Sequence, residues 1–201
     1  MRASGMDAFR VTGWIVEGTV GRASVKVITP TPLAAAIGRW QGESISPEPL
    51  TQLFIGNWMV MSDTRDEYRD HAEAIFQARG RVLIHGLGLG CFLKAILAKS
   101  EVTHVDVVEI EQDVIDLIGP YFASDPRVVI HQGDAYAYQF PRGTRWDISW
   151  HDIWGDKNCD DLEGHARLSR RYGGRVEWQG CWAHHQLLRQ RRWEKTQWWS
   201  R

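Results

Sequence analysis

The chain has 201 residues and a formal net charge of −1, and its hydrophobic and charged fractions, 43% and 24%, are typical of a globular protein with one well-buried domain. It lacks both an apolar run of about 18 residues, which a membrane-spanning helix needs, and the apolar core of a secretory signal, so we expect a soluble cytoplasmic protein without membrane contact. The spacing of Cys91, Cys159 and Cys181 indicates neither a disulfide framework nor a zinc site, and no other metal site is expected.

Residues 1–62 are predicted to form a small β-rich module. Alternating apolar and polar residues from Val11 to Thr29 indicate a hairpin or two short strands. The following segment, 29–50, contains four prolines, and we expect a loop there. Residues 53–62, LFIGNWMVMS, predict a second strand pair with its turn at Gly56 and Asn57.

Residues 63–201 are predicted to form one α/β domain. A helix that Asp63 or Thr64 can cap is expected to end at Gly80. Its apolar positions recur at helical spacing: Tyr68, Ala72, Ile75 and Phe76. After it, four short apolar strands alternate with helices, followed by one more helix, a candidate fifth strand and a final helix. This alternation predicts a doubly wound, mostly parallel, Rossmann-like sheet that is covered on both faces.

A glycine-rich turn follows the first strand of this domain. In the segment 81–97, RVLIHGLGLGCFLKAIL, the residues Gly86 to Gly90 connect a strand to a helix. Glycines in such a turn let a ligand approach the free N–H groups of the helix. The third glycine of the dinucleotide pattern GxGxxG is missing, because Cys91 and Phe92 follow. A tight connection without a ligand is therefore the alternative.

Carboxylates follow the next three strands. Glu109 ends the second strand, where it can accept hydrogen bonds from both hydroxyls of a ribose. Asp134, with Ala135, follows the third strand and can meet an exocyclic amine such as that of adenine. Asp152 ends the fourth strand. Ligands of open α/β sheets bind at these strand ends, so we expect one shared cleft. A solvated Glu109 and a helix-capping Asp134 are the alternatives.

This set of motifs, over about residues 50–155, resembles the class I S-adenosylmethionine-dependent methyltransferases and, within them, the spermidine synthase-like branch. The segment TRDEYRDH, residues 64–71, resembles the ERDEF-type segment of that branch. The resemblance implies S-adenosylmethionine as the cofactor and Asp152 as the base that deprotonates the acceptor. It implies these cofactor-binding residues: Gly86, Leu87, Gly88 and Gly90 around the amino-acid and sugar part, Glu109 on the ribose, and Ile110, Asp134 and Ala135 around the adenine.

Some positions depart from the aminopropyltransferase pattern. The glycine turn of those enzymes reads GGGDG, and its Asp holds the aminopropyl end of decarboxylated S-adenosylmethionine, whereas Leu89 stands here. The Gln that precedes the ERDEF-type segment in those enzymes is replaced here by Met61, and their polyamine-contacting Tyr is replaced by Asp70. Their DS(S/T)DP signature is replaced by DIWGD at 152–156. We therefore expect a methyltransferase with an unidentified small-molecule acceptor. Polyamine aminopropyl transfer and a non-catalytic protein that acts by binding a partner are the alternatives.

The C-terminal region has its own composition. Residues 101–164 contain 4 Lys/Arg and 14 Asp/Glu, whereas residues 165–201 contain 9 and 2. Five of the 11 tryptophans lie in the last 24 residues. Such a tail suits contact with nucleic acid or a docked helix with its tryptophans in the core or in a homodimer seam. After the fifth strand no room remains for the last strand pair of the family's sheet, so we expect a C-terminally truncated sheet.

Overall fold

The computed structural model describes residues 5–40 and 47–198 and contains two sheets. One is antiparallel, with four strands in the order β1-β2-β3-β4, and the other is parallel, with five strands in the order β7-β6-β5-β8-β9. The predicted α/β class with an N-terminal antiparallel sheet is confirmed. Of the predicted Trp-rich tail, residues 199–201 lie outside the described part of the chain.

The N-terminal sheet consists of two hairpins joined edge to edge. Its strands are β1 (Gly18–Val20), β2 (Ala23–Ile28), β3 (Leu50–Ile55) and β4 (Trp58–Ser62), and consecutive strands pair antiparallel. Gly56 lies in the β3–β4 turn with φ of +61°, a value that glycine adopts without a steric penalty. Both predicted strand pairs are present.

Two helices accompany this sheet, α1 (Gly5–Phe9) and α2 (Pro32–Trp40). The expectation of a loop over 29–50 is wrong for α2. Pro32 begins the helix, where its missing N–H costs no hydrogen bond, and Thr31 Oγ1 accepts a hydrogen bond from the Ala34 N–H at 3.1 Å. Proline and threonine therefore start a helix here. Residues 41–46 of the predicted loop lie outside the described part of the chain.

The parallel sheet is centred on β5 (Gly80–His85), which pairs with β6 (Val102–Glu109) and β8 (Trp146–His151). β7 (Val128–Gln132) and β9 (Val176–Cys181) form the outer strands. Residues Val82 to Ile84 of β5 are at most 2% exposed. Such continuous burial is expected of a parallel strand that helices cover on both faces.

The sheet is covered by α3 (Arg65–Gln77), α4 (Cys91–Leu97), α5 (Gln112–Ile118), α6 (Asp161–Tyr172) and α7 (His184–Trp198), and a 3₁₀ turn at Gly119–Tyr121 follows α5. Thr64 caps α3, as the sequence predicts. The helix ends at Gln77 rather than at Gly80. Phe76, one of the apolar positions at helical spacing, is 80% exposed, whereas His71 and Ala74 are the buried residues of the helix.

Asp63 and Arg22 make hydrogen bonds at the two ends of the N-terminal sheet. Its buried carboxylate accepts hydrogen bonds from the N–H groups of Val11, Thr12 and Thr51 at 2.7–3.0 Å. At the other end of the sheet, the Arg22 N–H donates to Asp113 at the start of α5. The Asp63 contacts stabilise the N-terminal part of the chain internally, whereas the Arg22–Asp113 contact and the packing of Met61 on Gly88 attach the antiparallel sheet to the elements that follow β5 and β6.

Within the described ranges, no helix combines the length and the apolar character that crossing a membrane requires. The three cysteines are free thiols, and Cys91 and Cys181 are buried. Burial raises the pKa of Cys181 to about 11, so this thiol is protonated and unreactive at neutral pH.

Candidate functional site

A cavity of about 260 Å³ lies at the carboxyl ends of β5, β6 and β8. The N-terminal sheet forms one wall, which includes Leu53 and Met61, and the start of α4 forms another. The polar side chains in its lining are His71, Glu109, Glu111 and Asp152. Of the residues predicted for the site, six line this cavity: Gly86, Leu87, Gly88, Glu109, Ile110 and Asp152.

The glycines of the turn have positive φ angles, +92° at Gly86, +52° at Gly88 and +72° at Gly90. Each also packs closely against the protein itself. A Cβ on Gly86 would overlap the backbone carbonyl of Asp152, and one on Gly88 would lie 2.6 Å from Met61 Sδ. Gly90 packs on Phe122, is the N-cap residue of α4 and does not line the cavity. The turn is therefore shaped by contacts within the chain as well as by any ligand.

Glu109 is 7% exposed, and its two oxygens are each held by a backbone group. Oε2 accepts from the Leu87 N–H at 2.7 Å, and Oε1 accepts from the Glu111 N–H at 2.9 Å. The alternative of a solvated Glu109 is wrong. A carboxylate oxygen can accept two hydrogen bonds, so each oxygen keeps capacity for one further donor.

The residues predicted around the adenine are not all at the cavity. Ile110 lines it and is 58% exposed. Asp134 instead accepts a hydrogen bond from the Tyr136 N–H at 2.8 Å, and Ala135 is buried in a second apolar cluster with Leu83. Neither lines the cavity. Asp134 thus caps a turn and not a helix, because no helix follows it directly, and its contact with adenine stays a prediction.

Asp152 forms a hydrogen-bonded pair with His71, a residue that the sequence reasoning did not select. Asp152 Oδ2 lies 2.8 Å from His71 Nε2, and His71 Nδ1 lies 2.8 Å from the backbone carbonyl of Glu67. His71 is completely buried, whereas the Asp152 side chain is 20% exposed. The carbonyl of Glu67 can only accept, so Nδ1 donates to it. With an ionised Asp152, Nε2 also donates, and the ring is then an imidazolium.

The environment of His71 explains this charge state. Burial by itself lowers its pKa, but the hydrogen bond and charge of Asp152, together with Glu67, outweigh burial and raise the pKa above its ordinary value. Three aromatic rings surround the imidazole, with centroids 5.4 Å (Phe9), 5.9 Å (Phe92) and 5.6 Å (Trp150) away. The signal in the sequence was weak: His71 follows Glu67 by one helical turn in TRDEYRDH.

A groove of about 1000 Å³ runs beside the cavity, between the N-terminal sheet, α3 and the start of α7. Its lining includes Glu67, Asp70, Asp156 and Lys157. Burial raises the pKa of Glu67 to about 7, although the positive charge of His71 opposes this shift. Lys157 Nζ donates to Asp70 Oδ2 at 2.6 Å, which ties the loop after β8 to α3.

His151, which precedes Asp152, lies on the other face of the sheet under α6. Its Nδ1 is 2.7 Å from Nδ1 of His85, and both rings pack against Tyr172. Burial lowers the pKa of His151 to about 4 and that of His85 well below its ordinary value. Both are therefore neutral packing residues. Nowhere in residues 5–40 and 47–198 do three or more His, Cys, Asp or Glu side chains group to hold a metal ion.

Known proteins resemble the chain over this region. It is 28% identical over 155 residues to polyamine aminopropyltransferase 2 of Ralstonia nicotianae, a match that covers 70% of this chain and 29% of that protein. It is 37% identical over 60 residues to ribosomal RNA small subunit methyltransferase A of Pseudomonas syringae pv. tomato, covering 30% and 22%. Spermidine synthase from Thermotoga maritima aligns with 17% identity and a TM-score of 0.44 over 67% of this chain and 46% of that one.

No protein-family model matches the sequence. The chain spans less than a third of the length of the curated relatives that it matches. These relatives confirm the resemblance to class I S-adenosylmethionine-dependent transferases, including the spermidine synthase-like branch.

Proposed function

We propose that the chain binds S-adenosylmethionine in the cavity and is a methyltransferase that acts on a small-molecule acceptor, not yet identified. One observation carries this proposal: three neighbouring strand ends bring the glycine turn, Glu109 and Asp152 to one cavity of about 260 Å³. The names of the curated relatives, which include a methyltransferase and an aminopropyltransferase, support transfer of a group from such a cofactor.

The lining fits the chemistry of a nucleoside cofactor. Glu109 is a buried carboxylate whose oxygens each keep capacity for one more donor, which suits the two hydroxyls of a ribose. Ile110, Val107 and Val114 provide apolar surface next to Glu109 for a planar base. Met61, Phe92 and Trp150 line the same cavity and would exclude water from it.

The bound cofactor would supply an electrophilic methyl group on a sulfonium. The protein then has to align the acceptor and take up its proton. The position of Asp152 supports this role, because Asp152 lies beside Gly86, lines the cavity and accepts a hydrogen bond from His71. The proton of the acceptor would pass to the carboxylate oxygen of Asp152 that His71 does not hold.

Polyamine aminopropyl transfer is the second candidate function. The acidic side chains of the groove favour a cationic acceptor, and a curated relative is a polyamine aminopropyltransferase. The glycine turn argues against this function. It has a fully buried leucine, Leu89, where those enzymes have an aspartate, so it offers no carboxylate to an aminopropyl ammonium.

Calorimetry with S-adenosylmethionine, S-adenosylhomocysteine and decarboxylated S-adenosylmethionine tests the proposal. We expect binding of the first two and weaker binding of the decarboxylated compound. Preference for the decarboxylated compound would favour aminopropyl transfer. Absence of binding by all three would refute both enzymatic functions and favour a non-catalytic protein that acts through a partner.

A nucleic-acid partner, a homodimer and a cytoplasmic location also stay proposals. The support for a nucleic-acid partner is a set of exposed cations on α6 and α7: Arg167, Arg170, Arg171, Arg189, Arg191, Arg192 and Lys195. Trp193 beside them is 64% exposed and could stack on a base. Retention of a fluorescent RNA at 50 mM salt and its loss at 200 mM salt would support this contact, whereas no binding at 50 mM would refute it.

A further inference from the structure

The pair of His71 and Asp152 carries no net charge, because the imidazolium cancels the carboxylate. Both atoms that meet the ring nitrogens are acceptors, each at 2.8 Å. The charged groups that act on His71 are Asp152, after β8, and Glu67, on α3. The other elements around the ring, α1, α4 and β8, contribute the aromatic rings of Phe9, Phe92 and Trp150. Among the described residues, the partners of the two ring nitrogens are thus the Glu67 carbonyl and the Asp152 carboxylate.

This pair lies at the glycine-turn end of the cavity. Gly86 packs directly on the backbone of Asp152, and both His71 and Asp152 line the cavity. Among the described residues, the other acidic side chains in the lining of this cavity are Glu109 and Glu111, and they come from the β6 side. Leu89 adds no charge to the turn. The net charge at this end of the cavity thus depends on whether His71 neutralises Asp152.

We propose that His71 determines which form of the cofactor the chain selects, an inference that rests on the proposed function. Neutralised by His71, Asp152 gives no preference to the decarboxylated cofactor over S-adenosylmethionine. The decarboxylated form has lost the carboxylate of the amino acid, so it carries one more net positive charge. An unneutralised Asp152 would attract that extra charge. His71 thereby removes an attraction that would favour the decarboxylated cofactor and aminopropyl transfer.

Replacement of His71 by glutamine tests this role, because glutamine fills a similar volume without a charge. In His71→Gln the pair has a net charge of −1. Asp152 and the carboxylate that only S-adenosylmethionine carries are treated as unit charges about 7 Å apart at an effective dielectric constant of about 20. The affinity for the decarboxylated cofactor, relative to that for S-adenosylmethionine, should then rise about tenfold or more. Calorimetry with both compounds measures this ratio.

Two further variants control for effects other than charge. Asp152→Asn removes the carboxylate, and the buried ring then loses its proton, so the pair stays neutral and the ratio stays near that of the wild type. The double variant His71→Gln/Asp152→Asn is neutral too and should restore the wild-type ratio. An unchanged ratio in His71→Gln would refute the inference. Absence of binding by the wild-type chain would instead refute the proposed function.

The charge of His71 can be measured without any ligand. In the ¹⁵N spectrum of the wild-type imidazole at pH 7, we expect both ring nitrogens of His71 to be protonated, and in Asp152→Asn we expect a neutral ring. A neutral His71 in the wild-type chain would overturn the inference even if His71→Gln failed to fold.

Discussion

The ribose assignment of Glu109 gives the strongest prediction about the site. Glu109→Ala removes a carboxylate that lines the cavity and is 7% exposed. If the two oxygens each accept one ribose hydroxyl, the substitution removes two hydrogen bonds to a charged group. Each such bond contributes about 1.5–3 kcal/mol, so the cofactor should bind about 3–6 kcal/mol more weakly, a loss of roughly 10²–10⁴-fold.

The same substitution leaves two backbone donors without their partner. The N–H groups of Leu87 and Glu111 donate to Glu109 at 2.7 and 2.9 Å. Leaving a buried donor unpaired costs about 1–3 kcal/mol, and the Glu111 N–H, which is only partly buried, should cost less. A fall in the free energy of unfolding of about 2–4 kcal/mol is therefore expected.

Calorimetric titration with S-adenosylhomocysteine measures the affinity, and urea denaturation shows how much of the chain is folded. Glu163→Ala is the matched control, because Glu163 is an exposed carboxylate on α6 outside the cavity. It should leave the affinity unchanged and, because Glu163 is in the first turn of α6, lower the free energy of unfolding by no more than about 1 kcal/mol. A folded Glu109→Ala variant that binds with wild-type affinity would refute the ribose assignment.

Three other outcomes are expected. Asp152→Asn should reduce turnover by at least about 100-fold, because the variant loses the group that takes up the proton of the acceptor substrate. Its affinity for S-adenosylhomocysteine should stay within about threefold of the wild type. Retained turnover would show that the acceptor's proton passes to another group. In urea denaturation Gly86→Ala should lose more than about 3 kcal/mol of stability, since its Cβ would overlap the Asp152 carbonyl. The control Gly143→Ala, which has open space around it at φ of +84°, should lose about 1 kcal/mol. Equal losses in the two variants would contradict the packing argument. His85 and His151 have lowered pKa values, about 4 for His151, so at these positions the unfolded chain takes up protons first and stability should fall from about pH 6.5 toward pH 4, by up to about 1.4 kcal/mol per pH unit for each histidine. The raised pKa of Glu67, about 7, acts in the opposite direction and offsets the contribution of about one histidine. An unchanged urea midpoint between pH 7 and pH 5 would contradict this.

The sequence predicted the elements whose signals are local. The hairpin turn at Gly56 and the Thr64 cap of α3 each depend on a few consecutive residues, and both are present. Strand ends that carry Glu109 and Asp152 were found in the same way, since parallel strands end at one edge of a sheet. The loop expected over 29–50 failed for the opposite reason: its prolines were counted as breakers, although Pro32 at a first helical position begins α2.

By itself, the sequence thus determined the order of strands and helices from α3 onward, the glycine turn and which carboxylates end the strands, because periodicity and turn chemistry depend on neighbouring residues. Only the tertiary structure decided what those residues contact. His71 and Asp152 are 81 positions apart, and their pairing depends on how α3 packs beside β8. The same holds for Met61 over Gly88 and for Asp134, which caps a local turn away from the cavity. Burial and charge pairing arise from long-range packing, which no local pattern records.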